Sequence, residues 1–131
     1  MSFAMLGNNR RTILLVDQDA HFRAGLRLAL EDAGFLVGEA ASGKEGERTL
    51  KRIRPDAVLV DVMLETVDAG GIVAAKLREI GSRIPIYIIS TTAGSMHTDL
   101  DFSALGIAGI FAKPVDFKVV VQTLKARLKL E

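Results

Sequence analysis

The sequence predicts an α/β fold, a five-stranded parallel sheet doubly wound by helices on both faces. Three observations predict it. Five short apolar runs recur along the chain, each bounded by polar or turn-forming residues. Amphipathic segments separate them, so strand and helix alternate, as in layered α/β structures with right-handed crossovers. The first, third and fourth runs are apolar at successive positions, the pattern of central parallel strands covered on both sides.

The elements follow in order. TILLVD (12–17) is the first strand, and Phe22, Leu26, Ala29, Leu30 and Ala33 then repeat at helical spacing behind Asp19, which is placed as an N-cap. LVGEA (36–40) is the second strand. Ser42-Gly-Lys-Glu45 has capping-box spacing, Leu50 and Ile53 continue that helix, and Pro55 stops it. AVLVD (57–61) is the third strand, and Val73, Leu77 and Ile80 mark the helix after it. IPIYIIS (84–90) is the fourth. The next helix, within 93–105, is the least marked, because Gly94 and Ser95 open it and only Met96, Leu100 and Ala104 share a face. IAGIFA (107–112) is the fifth strand. In the last helix Phe117, Val120, Val121, Leu124 and Leu128 form one apolar stripe, while Lys118, Lys125, Arg127 and Lys129 lie largely on the solvent side, toward the end where cations suit the helix dipole. Pattern alone does not fix strand order. The order 2-1-3-4-5 is that of flavodoxin-like (βα)5 sandwiches and is adopted by analogy.

Composition narrows the function. A chain of 131 residues fits one domain and leaves no room for a second. Residues 1–10, with Gly7, Asn8 and Asn9, read as a flexible leader to a domain spanning 11–131. The formal charge of +1, from 17 basic and 16 acidic residues without long runs of either sign, gives no electrostatic footprint for nucleic acid. With no Trp and one Tyr, a base-stacking surface is not expected either. No apolar stretch suits a membrane span or a signal peptide, and the absence of Cys agrees with a cytoplasmic protein.

Parallel strands all end on one edge, so the residues closing the apolar runs gather at one rim: Asp17, Asp61, Ser90 and, just past the fifth strand, Lys113. Ligands of open α/β sheets bind at that carboxyl edge, where the winding reverses, here between the first and third strands. Two carboxylates facing each other there invite a shared proton or a divalent cation, and oxygen-only ligands on a hydrated rim suit Mg2+. Lys113 adds a compact positive charge for a phosphoryl oxygen and Ser90 a hydroxyl. Together they describe phosphoryl transfer to a carboxylate, with Asp61 as nucleophile. Each residue alone has an ordinary reading: Asp17 as a helix cap, Ser90 bonded to backbone, Lys113 solvated.

These residues resemble the response-regulator receiver family of two-component signalling, from about Arg11 to Leu130. ILLVDQD resembles its first strand and acidic turn, LVDVML the strand bearing the phosphoacceptor, PIYIIS the strand ending in the switch hydroxyl, and GIAGIFAKP the fifth strand with its Lys-Pro. The resemblance implies Asp61 as phosphoacceptor, Mg2+ held by Asp17, Asp61 and the Met63 carbonyl, Ser90 as switch hydroxyl with Thr91 in reserve, and Lys113 as the phosphoryl-binding lysine. It implies a cis Lys113-Pro114 bond, a histidine kinase or phosphotransfer protein as partner, and output through the face of the fourth helix, fifth strand and fifth helix, which also offers a homodimer contact. It implies a signalling phosphoprotein, not an enzyme, that binds neither nucleic acid nor membrane directly.

The chain departs from the family pattern in three places. Gln18 stands where a second acid is usual, so a direct metal ligand is replaced by a neutral amide. Ile110 occupies the usual aromatic switch position, with Phe111 beside it, and MLETVDAGG lacks the common Pro-Gly. These departures support an alternative, a pseudo-receiver that binds proteins without being phosphorylated. LLVDQD also resembles the start of haloacid-dehalogenase-type phosphatases, but Ala20-His21 breaks that motif and no cap domain fits. A flavin carrier would need a Ser/Thr/Gly-rich phosphate cradle that the first loop lacks. His21 and His97 are too isolated for a metal site or a triad and read as surface or helix-start residues.

Overall fold

A computed structural model describes residues 10–61, 75, 79, 83–90 and 106–130. Its five strands are β1 (Thr12–Val16), β2 (Leu36–Ala40), β3 (Ala57–Asp61), β4 (Ile86–Ser90) and β5 (Gly109–Ala112). They form one parallel sheet in the order β2-β1-β3-β4-β5, as adopted by analogy from the sequence. Three helices are described: α1 (Ala20–Asp32), α2 (Gly43–Ile53) and α3 (Phe117–Arg127). The residues that mark the two other predicted helices, Val73, Leu77 and Ile80 and then Met96, Leu100 and Ala104, lie outside the described residues.

The unbroken apolar runs explain the layering. Successive side chains of a strand point to opposite faces, so a run without alternation feeds two cores at once. Ile13, Leu15, Leu59 and Ile89 pack on one side with Leu26 and Leu30 of α1 and Val120 and Leu124 of α3. Leu14, Val16, Val60 and Ile88 pack on the other with Leu50 of α2. Fully burying a leucine or isoleucine is worth about 1.5–3 kcal/mol, so both faces of each central strand contribute to holding the layers together.

Local chemistry sets the helix ends. Asp19 caps α1 as predicted, its carboxylate accepting from the N–H groups of His21 (3.0 Å) and Phe22 (3.1 Å). Gly34, at φ 99°, closes α1 in a Schellman turn: its N–H donates to Glu31 O, and the Phe35 N–H reaches back to Leu30 O at 3.0 Å. Ser42 caps α2 by accepting from the Glu45 N–H. The return bond of the expected box is displaced by one residue, since Glu45 Oε1 accepts from the Ala41 N–H instead of that of Ser42. Arg54 then turns left-handed at φ 46° before Pro55.

Two predicted strands start late. Run four begins its strand at Ile86, after Pro85, which has no N–H to give a ladder. Run five begins at Gly109, where a Cβ would come within 3.2 Å of the Tyr87 ring. Phe111, the next inward residue of β5, stacks on Tyr87 with ring centroids 5.4 Å apart.

Candidate functional site

The register of β1 and β3 builds the site. Val16 pairs with Val60, so the next residues, Asp17 and Asp61, stand side by side where the winding direction reverses. Both are buried, at 1% and 4% exposure. Asp17 does not cap α1. Its Oδ1 accepts from the Asp19 N–H at 2.8 Å, which shapes the loop so that Asp19 can cap instead.

Lys113 reaches the pair from the end of β5. Its ammonium lies 2.8 Å from Asp17 Oδ2 and 3.4 Å from Asp61 Oδ2, with 15% of the side chain exposed. Burial alone works to lower the lysine pKa, but the two carboxylates outweigh it, and the net shift is above the ordinary lysine value. Asp17 Oδ2 is thus in ion-pair contact while lacking an aligned hydrogen bond. A buried oxygen in that condition has unused capacity for a cation or donor.

Ser90 ends β4 on the same rim and is buried. Its carbonyl accepts from the Lys113 N–H at 2.7 Å, which fixes the ends of β4 and β5 together. The Lys113-Pro114 bond is cis, matching the resemblance. Gln18 is exposed in the loop after β1. Ile110 is 47% exposed on β5, and the neighbouring Phe111 ring is held against Tyr87. Met63 and Thr91 lie outside the described residues. His21 is exposed in the first turn of α1, as expected.

Two participants escaped the sequence reading. Phe22, counted there as core, places its ring 4.2 Å from Lys113 Nζ. Arg23 donates to the Asp17 carbonyl and, at 2.9 Å, to Glu39 of β2. Both join elements far apart in the chain; only the position of Phe22 and Arg23 right behind the acidic turn hinted at a role.

The model of the response regulator receiver domain family matches residues 13–125, nearly the whole described sheet and its helices. The chain belongs to the response regulator receiver family. This receiver domain is 33% identical over 117 residues to the transcriptional regulatory protein CseB of Streptomyces coelicolor, covering 89% of this chain and 49% of that protein. It is 32% identical over 117 residues to GlrR of Escherichia coli, a transcriptional regulatory protein, covering 89% of this chain and 26% of that one. The chain therefore spans half or less of these relatives. Among solved structures, the Vibrio cholerae chemotaxis protein CheY4 matches with a TM-score of 0.78 and 25% identity, covering 89% of this chain and 98% of that one.

The family implies Mg2+, and the receiver rim suits it. Among the described residues no cluster of three or more His, Cys, Asp or Glu is present. Mg2+ needs only one or two carboxylates, filling its octahedron with water and phosphate oxygens, so Asp17 and Asp61 suffice in number. Asp17 Oδ2, now 2.8 Å from the Lys113 ammonium, is the oxygen the ion would share with that lysine.

Proposed function

We propose that the chain is a phosphoacceptor receiver domain, phosphorylated on Asp61 by a histidine kinase or phosphotransfer protein in the cytoplasm. The observation that carries this reading is the Lys113 ammonium seated between Asp17 and Asp61 at the carboxyl edge of the sheet. An Asp61 carboxylate oxygen attacks the phosphorus of a phosphohistidine. A P–O bond forms as the P–N bond breaks, and the departing imidazole takes the electron pair and a proton from solvent water. Lys113 turns from Asp17 to pair with a phosphoryl oxygen. Asp17, Asp61 and the Met63 carbonyl would hold Mg2+, which when bound would supply positive charge against the developing phosphoryl charge. Gln18 adds no charge there, and the lost unit weakens Mg2+ by roughly ten- to a hundredfold, a Coulomb estimate discounted for water. Ser90 follows the phosphoryl group inward and shifts the face of the fourth helix, β5 and α3 between two populations, the face through which copies of the chain also associate.

With acetyl phosphate and Mg2+ the protein is expected to gain one phosphoryl group by intact mass, and Asp61→Asn to gain none. Label persisting in that variant overturns the assignment of Asp61. A wild-type protein that takes no label overturns the reading as a whole.

A second reading, a pseudo-receiver that binds partners without phosphorylation, is favoured by one observation. Lys113 already supplies the pair with a counter-charge, and the neutral Gln18 adds no further anion to attract a metal ion. Backbone resonances near Asp61 that stay fixed as Mg2+ is titrated to high millimolar levels would select it.

A further inference from the structure

We propose that Phe22 is a positioning residue for phosphoryl transfer, its ring holding the Lys113 ammonium within reach of Asp61. The inference rests on the phosphoacceptor reading and deepens it. A lysine head is a point charge on a flexible four-carbon stem, and two carboxylates define only a line along which it can settle. On that line Nζ lies nearer Asp17, at 2.8 Å, than Asp61, at 3.4 Å. A third contact removes the remaining freedom: the face of Phe22 at 4.2 Å from Nζ to ring centroid, a cation–π distance.

The ring is itself braced. Phe22 meets Phe117 edge to face, with centroids 5.9 Å apart and planes at 70°. Phe117, the first residue of α3, lies against Gly25 of α1, where a Cβ would come within 3.1 Å of its ring. The lysine is thus held from the α1–α3 side by a stack that does not depend on either carboxylate. When a phosphoryl group occupies Asp61, Nζ leaves Asp17, and the ring keeps it from swinging out to solvent. A leucine would fill most of that volume but has no negative face to offer a cation.

The test compares wild-type protein with Phe22→Leu and Phe22→Tyr in the full chain. Phosphoryl uptake from acetyl phosphate is expected to slow roughly three- to thirtyfold in Phe22→Leu, the span of a cation–π contact, and to return to near wild type in Phe22→Tyr. The ε-methylene proton resonance of Lys113 is expected upfield in wild type, shielded by the ring, at its ordinary position in Phe22→Leu, and upfield again in Phe22→Tyr. Equal slowing in both variants, or a Lys113 resonance that does not move in Phe22→Leu, overturns the proposal. Should Phe22→Leu unfold, Phe22→Met is read in the same two ways. If wild type takes no phosphate, the phosphoacceptor reading fails alone, and the Lys113 resonance still decides whether the ring holds the ammonium.

Discussion

Two charge clusters flank α1, and they are built on opposite rules. Toward the carboxyl rim, one ammonium faces two buried carboxylates, Asp17 and Asp61. Toward β2, Arg23 and Arg27 face Glu39, and Arg27 also pairs with Glu31 at 3.1 Å. The second cluster balances two cations against two anions on a half-exposed surface. Among the described residues the first sets one cation against two anions, and Asp17 Oδ2 is met by the ammonium alone. A balanced cluster is complete as it stands. Buried carboxylates gathered around one shared ammonium can also take a further cation, which separates a binding site from an ordinary surface network.

Lys113→Met is expected to have the largest effect on that contrast. It removes the ammonium paired with two buried carboxylates, at a cost of about 3–5 kcal/mol at neutral pH in urea denaturation, and added Mg2+ should recover part of the loss. A cost below that of breaking the Arg–Glu cluster would erase the distinction. Asp17→Asn comes next, weakening Mg2+ by roughly ten- to a hundredfold when binding is followed by chemical shift. Mg2+ should raise the melting temperature of wild type and of Glu39→Gln but not of Asp17→Asn; a full effect in Asp17→Asn would show that the ion binds elsewhere.

The clusters should also fail at opposite ends of the pH scale. Lys113 has its pKa raised above 10.5, because the carboxylates outweigh burial, so its contribution is full below 10.5 and is lost as pH climbs through the folded value. Tyr87, whose hydroxyl is pushed up by burial, shares that alkaline limb, and Lys113→Met should make it shallower without removing it. Glu39 is held below its ordinary 4.5 by the Arg27 hydrogen bond, with Arg23 adding to it against the burial that opposes both. Its contribution is present above 4.5 and is lost as pH falls through the lowered value. Asp19 shares this acid limb through the Phe22 N–H it accepts from. Glu39→Gln, the smallest effect, should cost about 0.5–1 kcal/mol and flatten stability below pH 4.5.

The sheet was readable because burial on both faces leaves a mark in one dimension: TILLV and AVLV have no polar interruptions. Caps were readable for a similar reason, since Asp19 and Ser42 act on N–H groups two or three residues away. The rim was readable because parallel strands bring Asp17, Asp61, Ser90 and Lys113 to one edge. Strand order was not, because nothing in a run of valines says which neighbour it will pair with. Phe22 was read as core, correctly as to its packing on Phe117 but without the lysine its other face meets. Arg23 and Arg27 could not be matched to Glu39 from sequence, since that pairing depends on how α1 lies across β2.

The bond from the Lys113 amide to the Ser90 carbonyl, 2.7 Å long, has a mechanical consequence. The hydroxyl and the ammonium hang from one clasp between neighbouring chain segments, so tugging on either drags the other's anchor point. Anyone transplanting this corner into a different scaffold would have to carry both segments across as a single cassette.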